Sequence, residues 1–321
     1  MMQFAKYLQF VALAVALCVP RHATAQQIWF APPDQLPRGG GRVYGPDFMD
    51  LFEPNSPWSH ALSKVQVFML APRFPLAASD ADLTRVLGFL RAHKIALVVG
   101  MGMVPTTREG CGHNVEGMTL TNTPTAVAQR IKKLGGDLQY IGMDEPMLFG
   151  HEYTGLNACR YSLAEVAAGV AEMVRTVRVY FPDVQIGEAE PTDGLKGPDW
   201  LARLEAWWDA FQKATGRPIA FFQQDAWWDG PWRERTPALV AALHQRGIKY
   251  GMIFNAAGDP PSDSIWIAQA QQHVRAYEAL MHGPPDLAVF ASWTTHPTRI
   301  LPETAAPTLT YLINWYASQA R

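Results

Sequence analysis

The chain has 321 residues, of which 48% are hydrophobic and 17% charged, and it carries 25 glycines, 25 prolines and 11 tryptophans. This composition is that of an ordinary globular protein and excludes disordered, collagen-like and coiled-coil chains. The formal net charge of −2 gives no electrostatic attraction for nucleic acid or for an anionic membrane. The length fits one large α/β domain or two smaller ones.

The first 25 residues have the pattern of a secretory signal peptide. Lys6 supplies a basic start, residues 8–19 form an apolar run, and Ala23-Thr24-Ala25 has the small residues of a cleavage site. As a helix the apolar run is about 18 Å long, short of the roughly 30 Å that a membrane span needs. We therefore expect a periplasmic or secreted mature chain that begins near Gln26 and has no stable membrane insertion.

Short apolar runs rich in β-branched and aromatic residues recur along the rest of the chain and predict strands. Eight such runs are present, at residues 28–30, 65–70, 95–100, 138–142, 184–187, 219–222, 249–254 and 287–291. Stripes of apolar residues at helical spacing lie between them. Ser162 followed by Glu165 forms a capping box, and Pro124 and Pro237, each preceded by threonine, are expected at the first position of a helix.

Strands that alternate with amphipathic helices pair in parallel, and eight such units fit a closed (β/α)8 barrel better than an open sheet. The connections after the first, third and fourth strands, residues 31–63, 101–122 and 147–161, are long and polar. In a barrel these loops lie at the C-terminal face, where such folds carry their sites. We predict that residues 26–321 form one α/β domain, a single (β/α)8 TIM barrel, with at most a short helix near 56–63 in its first unit.

Removal of the signal peptide leaves two cysteines, Cys111 and Cys159, in a compartment that permits disulfides. They lie in the loops after the third and fourth predicted strands. Neighbouring loops at one barrel face can come within the Cα separation of roughly 6 Å that a disulfide requires. We expect the two cysteines to be bonded to each other and to brace the rim of the barrel.

Five acidic residues lie at the ends of three consecutive predicted strands: Asp144, Glu145, Glu188, Glu190 and Asp225. The ends of barrel strands surround a single mouth, so these side chains are expected to converge there. Each acid alone could cap a helix or pair with an arginine, but five together favour a site. Burial of that much negative charge leaves one carboxyl protonated beside another that stays ionised. Cleavage of a glycosidic bond needs such a pair.

Aromatic and amide side chains near the same mouth are candidates for binding a sugar. Exposed indole rings stack on the apolar faces of pyranose rings, and the amides supply hydrogen bonds. The expected substrate-binding residues are Trp227, Trp228, Trp232, Trp293, Asn255 and Gln223. Trp207 and Trp208, in contrast, have helical spacing and are expected in the core.

The segment Asp144-Glu145-Pro146 and the pair Ser292-Trp293 resemble the fourth and eighth strand ends of the (β/α)8 glycoside hydrolases of clan A. That resemblance implies that Glu145 is the acid/base residue. The chain departs from clan A at the seventh strand, which ends in Asn255 where those enzymes have a nucleophilic glutamate. Acids on strands four and five are similar to the α-amylase arrangement, and acids on strands four and six to that of α-galactosidases. The chain matches no single family of the group.

We therefore expect a glycoside hydrolase with Glu145 as the proton donor. Its ionised partner is Glu190 or Asp225, and Asp144 and Glu188 hold or tune the pair. The sequence has no histidine pattern of a zinc site and no nucleotide-binding motif, so we expect no metal and no cofactor. The partner is then a carbohydrate, while the linkage, the stereochemistry and the oligomeric state stay open. The alternative is a carbohydrate-binding or polysaccharide-assembly protein on a barrel without catalysis, which the missing acid on strand seven favours.

Overall fold

The computed structural model describes residues 26–37, 41–106 and 110–319, which build a closed parallel β-barrel wrapped by helices. The expected signal peptide, residues 1–25, lies outside the described residues. Eight strands form the barrel: β1 (Gln27–Ala31), β2 (Val65–Leu70), β3 (Ala96–Met101), β4 (Tyr140–Asp144), β5 (Gln185–Glu190), β6 (Phe221–Gln224), β7 (Lys249–Ile253) and β8 (Leu287–Ala291). The predicted (β/α)8 barrel is confirmed.

Every barrel strand pairs in parallel with its two neighbours, and β1 pairs with β8 to close the ring. Helices cover the outside and side chains fill the inside, which is why β8 is buried along its whole length. The strands β4 and β6 begin at Tyr140 and Phe221, later than the sequence predicted. At β4 the Leu97 amide donates to the side chain of Gln139 at 2.7 Å and not to a backbone carbonyl, while the Gln139 amide donates to the Leu97 carbonyl at 3.2 Å, so regular pairing begins at Tyr140. The strand ends at Asp144.

Helices connect the strands, and within the described residues none has the length and apolarity of a membrane span. Their bounds are α1 (Ser59–Leu62), α2 (Arg73–Ala77), α3 (Asp80–Ala92), α4 (Thr123–Lys133), α5 (Leu163–Arg178), α6 (Trp200–Thr215), α7 (Trp232–Gln245), α8 (Asp263–Met281) and α9 (Leu309–Ser318). The short helix predicted in the first unit is present as α1, and a 3₁₀ turn, Met49–Phe52, precedes it.

The predicted helix starts are confirmed at two places and wrong at one. The capping box of α5 is present: the Ser162 hydroxyl accepts from the Glu165 amide, and the Glu165 carboxylate accepts from the Ser162 amide. Pro124 lies in the first turn of α4. Pro237, however, lies inside α7. That helix begins earlier because the Trp232 ring is fully buried against Trp228 and the Thr236 hydroxyl donates to the Trp232 carbonyl at 2.7 Å.

Three aromatic rings fill the inside of the barrel below the mouth. Trp29 from β1 lies 5.3 Å from Tyr140 of β4 and 4.8 Å from Phe221 of β6, between ring centroids. The Phe221 ring has room because β5 carries Gly187 opposite it: a Cβ there would lie 2.4 Å from the ring. The aromatic trio therefore closes the barrel from below, and any site in it must open at the C-terminal end.

The long loops after β3 and β4 are joined by the disulfide Cys111–Cys159, with 5.0 Å between the Cα atoms. The Gly112 amide also donates to the Asn157 carbonyl at 2.7 Å, so the backbones of the two loops meet at the same place. The predicted pairing is confirmed. Since both loops leave neighbouring strands at the C-terminal end, the covalent link braces the rim of the mouth.

We expect the double variant Cys111→Ser, Cys159→Ser to lose about 2–4 kcal/mol of unfolding free energy, because the bond closes a long loop of the unfolded chain. The bond spans a sequence separation of 48 residues. Urea unfolding of the oxidised protein, of the reduced protein and of the double variant measures the difference. The reduced protein and the variant should agree. Equal stability of the oxidised and reduced proteins would contradict the expected contribution.

Candidate active site

The alternation of side chains along the strands decides which acids face the inside of the barrel. On β4, Tyr140 packs in the inner cluster, so Asp144, an even number of residues further, faces inward as well. On β6 the same rule places Phe221, Gln223 and Asp225 on the inner side. The ladder pairs Asp144 with Ala189 and Gln223 with that same Ala189. With the one-residue stagger per strand of an eight-stranded barrel, Asp144 and Asp225 belong to one layer at the mouth.

Glu145 follows β4 in a left-handed backbone conformation, with φ of 43°. A residue with a Cβ rarely adopts this conformation, and when it does the surroundings hold it there, often at a functional site. Here the Glu145 amide donates to the Ala189 carbonyl at 3.0 Å, and its carbonyl accepts from the Phe149 amide at 3.0 Å. These two bonds fix the turn, so the buried Glu145 side chain is held beside that of Asp144.

A loop residue that sequence reasoning missed, Glu116, completes this cluster. Carboxylate oxygens of Glu116, Asp144 and Glu145 lie within 4.8 Å of one another. Gly117 permits the approach: it has φ of 72°, and a Cβ on it would lie 2.5 Å from the Asp144 carbonyl oxygen. Three carboxylate oxygens so close together offer ligands to a hard cation such as Ca²⁺ or share protons. Glu116 lies in the long loop after β3, away from the ends of the barrel strands, so the glycine beside it is the one local signal of a close approach.

Glu190 does not face the mouth. Its neighbour Ala189 packs against the inner cluster, so Glu190 points outward between the strands and the helices, and it is fully buried. Its carboxylate accepts hydrogen bonds from the Met147 amide at 2.5 Å and the Leu148 amide at 3.3 Å. Glu190 thus binds the first amides of the short helical turn Leu148–Glu152 that follows Glu145 and Pro146. This contact fixes the segment that carries Glu145.

Glu188 also points outward and is fully buried. Its two carboxylate oxygens accept from the indole nitrogens of Trp207 at 2.7 Å and Trp208 at 2.8 Å, both on α6. The two indoles are buried, as the sequence predicted. Burial raises the pKa of Glu188 to about 7, against the lowering effect of the two indole bonds. Glu188 therefore attaches α6 to β5 and lies away from the mouth.

The acids at the mouth have pKa values pushed apart by burial and mutual repulsion. Burial raises the pKa of Glu145 to about 10, and the charges of Glu190 and Asp225 add to the effect. Burial raises the pKa of Asp225 to about 7 and that of Asp144 to about 6. At pH 8, then, Glu145 retains its proton while Asp144 and Asp225 are largely ionised. A protonated carboxyl beside two carboxylates can donate and accept a proton in one site.

Of the four tryptophans expected to bind a sugar, two have exposed rings and two have buried rings. Trp227 and Trp293 are 49% and 44% exposed, as expected of rings at the rim. The prediction that Trp228 and Trp232 expose their rings is wrong: they are 7% and 0% exposed. Trp228 is covered because it stacks on His273 of α8, and Trp232 because it begins α7 and packs edge-on against Trp228. A second missed acid, the buried Asp193, accepts from the Trp227 amide at 3.0 Å and so fixes the loop of that exposed ring.

The two predicted amide side chains are both buried, in different surroundings. Gln223 lies on the inner face of β6 below Asp225, is 1% exposed, and its Nε2 has no hydrogen-bond partner. Asn255 follows β7, and its Oδ1 accepts from the Trp228 indole nitrogen at 2.5 Å. A buried polar group without a hydrogen-bond partner is rare in folded proteins, because leaving it unpaired costs free energy. Gln223 therefore has an unpaired donor buried below the acids.

No model of a known protein family matches the chain, and no curated protein sequence matches it. Solved structures share its fold. A fungal β-1,4-galactanase covers 90% of this chain and 99% of its own, with a TM-score of 0.53 and 8% identity. The GH10 protein of Paenibacillus barcinonensis covers 92% and 96%, with a TM-score of 0.52 and 12% identity. A glucosidase from Croceicoccus marinus covers 90% of this chain, which spans 66% of that enzyme, with a TM-score of 0.50 and 13% identity. These three proteins share the barrel fold with this chain, and identities this low show a common fold alone.

The substitution Glu190→Gln should lower the pKa of Glu145, since Glu190 is the neighbouring charge that raises it most. Glutamine keeps a carbonyl oxygen for the shorter bond, to the Met147 amide at 2.5 Å, and gives up the longer bond to the Leu148 amide at 3.3 Å. A carbon-13 NMR titration of the Glu145 carboxyl measures the pKa. Glu188→Gln is the matched control, because Glu188 lies on the same strand and is not among the charges that raise this pKa. An unchanged pKa in the Glu190 variant, or equal shifts in both variants, would refute the assignment.

Proposed function

We propose that this protein is an exported glycoside hydrolase, with Glu145 as the proton donor. The observation that carries the proposal is the state of Glu145: it is buried at the end of β4, its pKa is raised to about 10, and ionisable Asp144 and Asp225 share the mouth with it. A carboxylic acid that stays protonated at neutral pH can protonate the oxygen of a leaving sugar. The disulfide between Cys111 and Cys159 supports export, because such bonds persist in oxidising compartments.

Asp225 is the better of the two candidate partners. It faces inward in the same layer as Asp144, whereas Glu190 is sealed outside the barrel wall and binds two backbone amides. With its pKa near 7, Asp225 is half ionised at neutral pH, and its negative charge contributes to keeping the proton on Glu145. As a carboxylate, Asp225 would attack the sugar or activate a water, while Glu145 protonates the leaving oxygen.

The other acids of the group have supporting roles in this proposal. Asp144 is ionised at pH 7 and raises the pKa of both Glu145 and Asp225 through its charge. Glu190 fixes the turn that carries Glu145, and Glu188 attaches α6 behind the site. Trp227 and Trp293, exposed at the rim, would stack on sugar rings. Two fold neighbours are a β-1,4-galactanase and a glucosidase, which agrees with a carbohydrate substrate for this protein.

The second candidate function is carbohydrate binding without turnover. The observation that favours it is Asn255 at the end of β7, where the resemblance to clan A calls for a nucleophilic glutamate. Release of reducing ends from a panel of bacterial and plant polysaccharides separates the two functions. Turnover supports the hydrolase. Saturable binding of a polysaccharide with no release of reducing ends supports the binding protein.

On a polysaccharide that the wild type cleaves, Glu145→Gln should reduce kcat by about 10²–10⁴-fold with little change in binding, because glutamine has the same shape and no proton to transfer. Initial rates of reducing-end release and calorimetric binding measure the two effects. Glu172→Gln is the control, since it removes an exposed carboxylate on α5 away from the mouth. Near-normal turnover of the Glu145 variant would exclude Glu145 as the donor.

The pH dependence of kcat distinguishes the roles of the two aspartates. The proposed pair predicts that activity rises with pH as Asp225 ionises near pH 7 and falls as Glu145 loses its proton near pH 10. Asp225→Asn should abolish turnover. Asp144→Asn should retain turnover and shift both limbs to lower pH, because it removes a charge that raises both pKa values. The opposite outcome, with turnover lost in the Asp144 variant and kept in the Asp225 variant, would make Asp144 the partner.

A further inference from the structure

We propose that Asn255 binds a hydroxyl group of the sugar in the mouth through its Nδ2, and that Trp228 and His273 are positioning residues that hold its amide in the required orientation. The proposal rests on the proposed function for the identity of the ligand. It assigns a role to the residue at the end of β7 and to two buried rings outside the acid cluster. The ligand class is a neutral sugar, recognised by an oxygen that accepts a hydrogen bond.

The position of Asn255 follows from the ladder. Gln224 of β6 pairs with Met252 of β7, so Asp225 lies at the level of Ile253, and Asn255 follows two residues later on the neighbouring strand. The Phe254 amide donates to the Val289 carbonyl at 2.7 Å, so the extended backbone continues past the last residue of β7. Asn255 therefore lies at the rim of the mouth next to Asp225.

Trp228 decides which way the amide of Asn255 faces. An indole nitrogen can only donate, so the atom that it contacts at 2.5 Å has to be the carbonyl oxygen Oδ1. Reversing the amide would set two N–H groups against each other in a buried place. The orientation of the Asn255 side chain is thus fixed by a single buried donor, and Nδ2 lies on the side away from Trp228.

His273 holds the same residue by its backbone. Its Nδ1 donates to the Asn255 carbonyl oxygen at 2.8 Å, and its ring stacks on Trp228 with 3.9 Å between centroids and 8° between planes. Burial lowers the pKa of His273, so the imidazole is neutral at neutral pH and carries its proton on Nδ1, facing the carbonyl. The stacked pair therefore holds both the main chain and the side chain of Asn255 from one direction.

The amide nitrogen that remains is free to meet a ligand. Among the described residues, no group accepts a hydrogen bond from Nδ2, and this atom is not among the buried ones that lack a partner, so it reaches solvent at the barrel end. The neighbouring acids accept hydrogen bonds when ionised and donate one only when protonated. A sugar hydroxyl needs donors as well as acceptors. Asn255 supplies two N–H groups beside Asp225 without adding charge.

The first test is the substitution Asn255→Asp. Aspartate keeps an oxygen for the Trp228 indole, so this contact and the fold are retained. It replaces the amide nitrogen Nδ2, a donor, by a second oxygen, which is an acceptor. On the polysaccharide that the wild type cleaves, we expect kcat/KM to fall about tenfold to a hundredfold through a higher KM. Asn314→Asp is the control, since it adds the same charge on α9 and keeps its oxygen for His60. Unchanged kcat/KM in the Asn255 variant would overturn the proposal while leaving the hydrolase assignment intact.

The second test measures the orientation of the amide without turnover. We expect the side-chain Nδ2 protons of Asn255 to shift in NMR spectra when neutral trisaccharides such as cellotriose, xylotriose and β-1,4-galactotriose are added to the Glu145→Gln variant. Trp228→Phe in that background removes the indole donor that orients the Asn255 amide and keeps an aromatic ring to stack on His273. It should therefore weaken the trisaccharide affinity about tenfold. Shifts at Asn255 in a protein that cleaves no polysaccharide would support this inference and contradict the proposed function. No shift with any trisaccharide, or equal affinity in the Trp228 variant, would overturn it.

Discussion

The arrangement at the mouth depends on the alternation of side chains along parallel strands whose two faces are both buried. On β4 and β6 the alternation turns Asp144 and Asp225 toward the inside, and on β5 it turns Glu188 and Glu190 toward the helices. The acids at the ends of these three strands are thereby divided into those that face the mouth and those that hold the structure around it. A shift of one residue in the register of any of these strands would exchange the two groups.

The outward acids show how the scaffold supports the site. Glu188 and Glu190 are fully buried carboxyl groups, and each has two N–H partners, from indoles in one case and backbone amides in the other. A buried carboxylate without such donors is strongly destabilising, so burial of the two acids depends on these hydrogen bonds. The result is that α6 and the turn after β4 have fixed positions relative to β5. The strained backbone of Glu145 is also fixed to β5, because its amide donates to the Ala189 carbonyl of that strand.

The inward group is held together at an electrostatic cost. Asp144, Asp225 and the protruding Glu116 repel one another, and the repulsion adds to burial in keeping the proton on Glu145. Next to Asp225, at the end of the neighbouring strand β7, lies the neutral amide of Asn255, fixed by Trp228 and His273. The carboxyl groups and this amide together offer both acceptors and donors to a ligand with hydroxyl groups. A disulfide and a close glycine contact keep the loop with Glu116 at the rim.

The sequence alone determined the eight strands, the parallel barrel, the capping box of α5 and the pairing of Cys111 with Cys159, because apolar periodicity, turn residues and an even number of cysteines are local signals. It also placed the acids at one end of the barrel, since all parallel strands end on the same face. Only the tertiary structure decided which acids face the mouth. Strands covered on both faces have no polar alternation, so the sequence does not say which side chains point inward. Burial of Trp228 and Trp232 depends on α8 and on an earlier start of α7, and the approach of Glu116 depends on a loop packing against a turn distant in sequence. These are contacts between segments that no local pattern encodes.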